Sequence, residues 1–333
     1  MTIRSVVKHS LAGMLHFTGA LTIYSKKKLD NRGLVLMYHR VLEDAEQSPF
    51  PLQPGMYVRK ASFEAQMSFL QNHFIIISLQ EMVCRLEAGE DMTRCCSITF
   101  DDGWKDNYEV AFPVLKRLGI PTTIFLTTGY IGTDRWFWPD EFSWCLSVLW
   151  ERNMMRELPR EIGDLLPRKG SLEQVTDTVI EGLKLYHPDE RDDLVRRIRS
   201  LCPGIPCDRL MMNWSEARTM LDSGVVAIGS HTVEHQLLHQ LEPENIDREI
   251  ATSREDIQRN LHVDATLFAY PNGDFNQVVK TILANHGFSG AVTTMRGYVT
   301  HTTPRLEMPR IGIHDDVSNT PPLFYSRILL NSF

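Results

Sequence analysis

Short apolar runs alternate with amphipathic segments along most of this chain, and the alternation restricts its fold more than any other feature. Eight runs rich in β-branched and aromatic residues predict strands at 34–39, 74–79, 96–100, 122–128, 225–230, 266–270, 290–294 and 308–313. Apolar residues at helical spacing predict helices at 61–72, 79–89, 105–118, 214–223, 243–260 and 274–286. Such βα units form a mainly parallel sheet. We therefore predict an α/β fold, a distorted (β/α) barrel with mainly parallel strands, and keep a doubly wound open sheet as the alternative.

One long stretch interrupts this alternation. Residues 134–212 contain no apolar run that predicts a strand, but they include charged sequences with helical periodicity, such as DERDDLVRRIRS. We predict a mostly helical insertion at about 134–212 within one domain that spans 31–333. The insertion is either a surface excursion or a lid or wall of a substrate site, because loops at strand ends build the sites of such folds.

The first 30 residues form a segment of their own. The stretch from Ser10 to Tyr24 is moderately apolar, and three lysines, 26–28, follow it. It is shorter than the roughly 20 apolar residues of a spanning helix, and it lacks the clear cleavage site of a signal peptide. We predict an amphipathic helix that either lies on a membrane surface or packs on the domain. The expected location is the cytoplasm or the membrane periphery.

The charge of the chain argues against one class of partner. The net charge is -7 and no basic stripe stands out, so nucleic acid is not an expected partner.

Residues that could take part in catalysis or metal binding follow four of the predicted strands. Because the carboxyl ends of parallel strands meet at one edge of a sheet, these residues are expected to lie close together. They are His39, the pair Asp101 and Asp102, the pair His231 and His235, and the turn Pro271–Gly273.

A carboxylate and two imidazoles at this edge suit a divalent ion such as zinc. Asp102, His231 and His235 supply three protein ligands and leave one position open, which is typical of a catalytic zinc site. The neighbouring acid, Asp101, can then act as a general base toward water. This division of roles requires that the turn at Gly103 direct both acids toward the same pocket.

Two other functions fit parts of the same pattern. The text HTVEH, residues 231–235, has the form of an inverted zincin motif with Glu234 as base. A metalloprotease of that kind needs the motif within a helix, and it leaves Asp101 and Asp102 without a role. The other alternative is a non-catalytic carbohydrate-binding module.

Three motifs resemble one family closely. They are TFDDG at 99–103, SHTVEH at 230–235 and FAYPNG at 268–273. In these motifs, and from about Gly33 to His314, the chain resembles the polysaccharide deacetylases of the NodB-homology type (carbohydrate esterase family 4), particularly the poly-N-acetylglucosamine deacetylase branch. The resemblance implies a metal-dependent hydrolase that removes N-acetyl groups from an N-acetylated glycan or glycoconjugate and releases acetate.

The resemblance also implies roles for single residues. Asp101 would be the catalytic base, and the two histidines would hold the metal together with Asp102. The arginine that usually orients the base is missing from the third motif, and Arg310 is a candidate to replace it. His39 would be the general acid, with His314 as its rival.

The remaining candidates concern the substrate. Tyr270, Pro271 and Asn272 match the third motif, in which a backbone N–H at the position of Asn272 would stabilise the oxyanion. The indole of Trp104 suits stacking on a sugar ring, but Trp104 could equally be a core residue.

Overall fold

The computed structural model describes residues 3–43, 48, 50–202, 204 and 209–330. Its main sheet contains eight strands: β1 (Leu34–Tyr38), β4 (Ile75–Ile76), β5 (Cys95–Phe100), β6 (Thr122–Leu126), β7 (Val226–Ser230), β8 (Leu267–Ala269), β9 (Gly290–Val292) and β10 (Ile311–Gly312). The strand order is β10–β1–β5–β6–β7–β8–β9, and β4 pairs with β5. All of these pairings are parallel. A second small sheet pairs β2 (Arg40–Leu42) with β3 (Tyr57–Arg59).

One segment near the end of the chain contacts both edges of the main sheet. Leu36 of β1 pairs with Ile311, and Val292 of β9 forms a parallel bridge with Met308. The strands therefore curve into a half-barrel, and this segment bridges its remaining gap. The predicted distorted (β/α) barrel with mainly parallel strands is confirmed.

The eight predicted strands are present, although two are much shorter than their apolar runs. The run at 74–79 is reduced to β4, because Ser78 already caps the following helix with a hydrogen bond from the Glu81 backbone N–H. The run at 308–313 is reduced to β10, and Pro309 within it has no N–H to donate to a ladder. The strands β5 and β6 are buried along their whole length, as expected for a parallel sheet with both faces covered.

Helices surround this sheet: α3 (Lys60–His73), α4 (Leu79–Ala88), α5 (Phe112–Leu118), α10 (Trp214–Asp222), α11 (Pro243–Leu261), α12 (Gln277–Asn285), α13 (Asp315–Ser318) and α14 (Pro321–Leu329). The helix predicted at 105–118 begins with a π-helical turn at Asn107–Ala111. A capping box of Asn213 and Glu216 fixes the start of α10.

The N-terminal segment forms two helices, α1 (Ile3–Phe17) and α2 (Ala20–Lys28). Both pack on α14, and the side chains of Ala12 and Leu323 share a small apolar cluster there. Within the part of the chain that the structure describes, no helix is both long and apolar enough to cross a membrane.

The chain divides into two compact units. The second unit consists of Asp44–Met56 and Asp134–Leu210, and the first contains the rest of the chain. The second unit contains α6 (Trp138–Glu151), α7 (Arg160–Gly163), α8 (Leu172–Leu183) and α9 (Pro188–Arg199) around its own apolar core. The contribution of residues 44–56 was not foreseen from the sequence. The domain boundaries given above remain a prediction.

Candidate metal centre

The two adjacent aspartates lie where β5 ends, and both are almost fully buried. Asp102 and Gly103 have left-handed φ angles of 77° and 87°. A Cβ at position 103 would come within 2.9 Å of two apolar side chains, so the turn accepts only glycine. On a regular strand, Asp101 and Asp102 would point to opposite faces. The left-handed turn removes that alternation. As a result, both carboxylates lie close enough to His231 to interact with its charge.

Asp102 meets two histidines at this edge. The ligand atoms of Asp102, His231 and His235 all lie within 4.8 Å of one another. Asp102 Oδ1 is 3.4 Å from His231 Nε2 and 3.5 Å from His235 Nε2. This oxygen is buried and has no hydrogen-bond partner among the described residues. A buried carboxylate oxygen without a donor is costly, whereas this set of donors suits zinc or a similar ion. The three residues therefore fit a divalent metal.

The backbone fixes the orientation of His231. Its Nδ1–H donates to the carbonyl oxygen of Ala269 at 2.7 Å, so its Nε2 faces Asp102 with a lone pair. Burial by itself would lower the pKa of His231, but the close contact with Asp102 and the charges of both aspartates outweigh burial and raise it.

His235 is held in its neutral form. Burial, together with the nearby charge of His231, lowers the pKa of His235 to about 4. A metal binds the neutral imidazole, so His235 is ready to act as a ligand near neutral pH.

Both histidines lie on a loop. Residues 231–237 contain no helix, and Thr232 and His235 have left-handed φ angles of 65° and 54°. The protease alternative required the two histidines on one helix. That alternative is therefore wrong.

Two contacts shape this loop. The Glu249 carboxylate, on α11, accepts hydrogen bonds from the backbone N–H groups of Val233 and Glu234, each at 2.9 Å. The Gly129 N–H donates to the Val233 carbonyl at 2.9 Å, and a Cβ at position 129 would lie only 2.8 Å from that oxygen. Sequence reasoning missed Glu249. Its only signal was an acidic residue on the apolar face of an amphipathic helix.

Arg310 forms a buried ion pair with Asp101. The guanidinium Nη1 and Nη2 donate to Asp101 Oδ1 and Oδ2 at 2.7 and 2.6 Å. Its Nε donates to the Thr293 carbonyl, and Nη1 also donates to Thr99 Oγ1. Burial by itself would raise the pKa of Asp101, but the Arg310 charge outweighs burial and holds this pKa below its usual range. The structure thus brings together two residues that the sequence had only suggested as partners.

His39 lies next to the aspartates, at the end of the neighbouring strand. The Asp101 N–H donates to the Tyr38 carbonyl at 3.0 Å, which places residues 39 and 101 side by side. The half-buried His39 acts electrostatically on both Asp101 and Asp102. The rival, His314, instead has its Nδ1 2.9 Å from Asp316 Oδ2 at the start of α13.

Trp104 supports the metal ligand. Its side chain is only 2% exposed, and its Nε1–H donates to Asp102 Oδ2 at 2.9 Å. A ring buried in this way offers no face to a sugar, so of the two alternatives for Trp104 the structure supports the core residue and not stacking on the substrate. Its hydrogen bond instead occupies Oδ2 and leaves Oδ1 of Asp102 directed at the histidines.

A polar network that includes Arg40 and Asp106 packs against the Trp104 ring. The Arg40 guanidinium lies 4.5 Å over the Trp104 ring and donates from Nε to Asp106 Oδ2 at 2.8 Å. The Asn107 side chain donates to the His39 carbonyl at 2.7 Å. The segments after β1 and β5 are therefore locked together. The sequence signal for this network was the polar pair at 106–107, near the start of the predicted amphipathic helix.

The third motif forms a tight turn after β8. Asn272 is exposed with a φ angle of 58°, and its backbone N–H makes no hydrogen bond with any described residue. Pro271 is buried and begins the turn. Tyr270 is fully buried, and its hydroxyl donates to the Leu306 carbonyl at 2.9 Å. The Tyr270 side chain is therefore a core residue.

Comparisons with known proteins identify the family and the fold. The polysaccharide deacetylase family model matches residues 88–291. YxkH of Bacillus subtilis, which is named as a polysaccharide deacetylase, is 22% identical over 86% of this chain and 73% of its own length. The poly-beta-1,6-N-acetyl-D-glucosamine N-deacetylase of Staphylococcus aureus is 32% identical over 33% of this chain, a match that spans only 42% of that enzyme. The Streptococcus pyogenes deacetylase PplD has the same fold, with a TM-score of 0.58 and 18% identity over 90% of this chain and 98% of its own.

Fold and relatives together define a hydrolase that acts on carbon–nitrogen bonds other than peptide bonds. The family match covers more than half of the chain. This protein therefore belongs to the polysaccharide deacetylase family.

Proposed function

We propose that this protein is a metal-dependent N-deacetylase, which hydrolyses the acetamide groups of an N-acetylated glycan and releases acetate. One observation carries the proposal. The buried Asp102 Oδ1, which has no hydrogen-bond donor in the described part of the chain, faces two histidines beside the Asp101–Arg310 pair. An acid held ionised next to a set of metal donors is an arrangement for hydrolysis.

The metal would be held by Asp102, His231 and His235, and we propose zinc. When bound, such an ion polarises a carbonyl and lowers the pKa of a bound water. Every other step belongs to residues of this chain.

Asp101 is the proposed general base. Arg310 occupies one lone pair on each Asp101 oxygen, and a second lone pair on each remains to accept a proton from water. Because the pKa of Asp101 is lowered, the carboxylate stays ionised through the neutral range.

The acetyl carbonyl oxygen becomes negative when water adds to the acetyl carbon. The Asn272 backbone N–H is the donor that we propose for this charge, because it has no other partner among the described residues. The carbon–nitrogen bond then breaks, and the amine leaves with a proton. We propose that the His39 imidazole donates that proton, since it lies beside both aspartates.

The natural substrate is proposed only as a class, an N-acetylated polysaccharide or glycoconjugate. A relative that acts on poly-beta-1,6-N-acetyl-D-glucosamine makes that polymer the first candidate. We also propose that the protein is located in the cytoplasm or at the membrane periphery.

Acetate release from a panel of N-acetylated oligosaccharides tests the function. The protein should be active with zinc and inactive after chelation, and His231→Ala should lose both bound metal and activity. His301→Ala, at an exposed turn, is the matched control and should behave like wild type. Activity that persists in the fully chelated protein would refute the mechanism. A protein that binds zinc but releases no acetate from any glycan would favour the non-catalytic module.

A further inference from the structure

The first two helices present an apolar face that no described part of the chain covers. Leu11, Met14 and Phe17 recur every third residue along one side of α1, and α2 carries two further exposed apolar side chains, Ile23 and Tyr24. Phe17 is 85% exposed and Ile23 is 74% exposed. Five of the ten large hydrophobic side chains exposed in the described structure fall within residues 11–24. So dense a group marks a contact surface rather than scattered surface residues.

The opposite side of the same helices is fixed to the domain. Ala12 is fully buried, and Leu21 and Ser25 are nearly so. The His16 ring makes an edge contact with the Tyr325 ring of α14. The helices are therefore held in place, and the outward direction of Phe17 follows from that packing.

The charge around this face differs from the charge of the whole protein. The chain contains 42 acidic residues and has a net charge of -7, yet its first 29 residues contain five basic residues and no acidic residue. Lys26 and Lys27 are exposed in the last turn of α2. An apolar face with a cationic border is complementary to an anionic lipid bilayer.

We propose that α1 and α2 form a docking surface for an anionic membrane. The apolar side chains enter the headgroup region, and Lys26 and Lys27 bind lipid phosphates. A second copy of this chain is a poorer occupant, because pairing the same face would bring like charges together. The inference rests on the N-terminal helices and not on the proposed deacetylase activity, so either can fail without the other.

Vesicle flotation of the full chain tests the proposal. The protein should bind vesicles of phosphatidylcholine mixed with phosphatidylglycerol, bind pure phosphatidylcholine more weakly, and dissociate as salt rises. Phe17→Ser should weaken binding to both vesicles by roughly tenfold, because a large apolar side chain no longer enters the bilayer. Replacing Lys26 and Lys27 by glutamine should weaken binding by roughly tenfold on the anionic vesicles only.

Leu185→Ser is the matched control, because Leu185 is 87% exposed but lies in the second unit. It should bind vesicles like wild type, and thermal unfolding should show that all variants are folded. Absence of binding to anionic vesicles would overturn the proposal, as would equal binding by Phe17→Ser. A dimer that dissociates in Phe17→Ser, without vesicle binding, would assign the face to contact between copies and would also overturn it.

Discussion

Replacing Asp101 by asparagine should destabilise this protein as well as inactivate it. The Asp101 and Arg310 side chains are 3% and 0% exposed, and two hydrogen bonds of 2.7 and 2.6 Å join them. The asparagine variant keeps the shape of the site but leaves a guanidinium buried without its counterion. Removing one partner of such a pair typically costs about 3–5 kcal/mol. We expect the free energy of unfolding to fall by that amount.

A second aspartate–arginine pair supplies the control. Asp264 also binds an arginine, Arg254, through two contacts of 2.6 Å, but the Asp264 side chain is 54% exposed. Because water replaces the lost contact there, Asp264→Asn should cost only about 0–1 kcal/mol.

Urea unfolding of the chelated proteins measures the free energy of unfolding of both variants without a contribution from metal binding. Asp101→Asn combined with Arg310→Met should be more stable than the sum of the single losses predicts, since neither charge is then left unpaired. The double variant should still be inactive. If Asp101→Asn unfolds at the same urea concentration as Asp264→Asn, the buried pair does not have the energetic role that its geometry implies.

Three further predictions concern the site. His39→Ala should retain zinc and lose turnover by roughly 10²-fold or more, while His314→Ala should stay near wild type; the reverse result in acetate-release assays would exchange their roles. Trp104→Phe should weaken zinc affinity by roughly 10–100-fold, measured by competition with a chelator, while the buried Trp144→Phe in the second unit leaves that affinity unchanged. Activity that needs an ionised base is lost as pH falls through the pKa of that base. Arg310→Met removes the charge that lowers this pKa and should move the acidic limb of the pH–rate profile upward, and a limb that stays in place in a folded variant would contradict this reasoning.

The sequence predicted the position of this site better than it predicted the direction of individual side chains. The apolar runs predicted where the strands end. Because the carboxyl ends of parallel strands meet at one edge of the sheet, Asp102 and His231 had to lie close together. Trp104 could not be assigned in the same way, because its direction depends on the left-handed turn just before it. Tyr270 and Asn272 belong to one motif, yet only the position of β8 determines that the former lies in the core.

The second unit shows a different limit of prediction from sequence. Its helices were visible as a charged helical stretch, because periodicity is a local property. The attachment of residues 44–56 to that unit is a long-range contact. No local pattern in the sequence encodes it.

Asp101 and Arg310 are separated by 209 positions in the chain, and this distance has a consequence for biosynthesis. At a translation rate of about 5–20 residues per second, roughly 10–40 s pass between synthesis of the carboxylate and synthesis of its arginine. In the last part of that interval, once His235 has been added, the nascent chain contains both histidines and both aspartates, but the base has no counterion and β10 does not yet exist. A ribosome-bound or prematurely terminated chain is therefore expected to be a deacetylase without activity, and hydrolysis begins only when the last strand has emerged and docked.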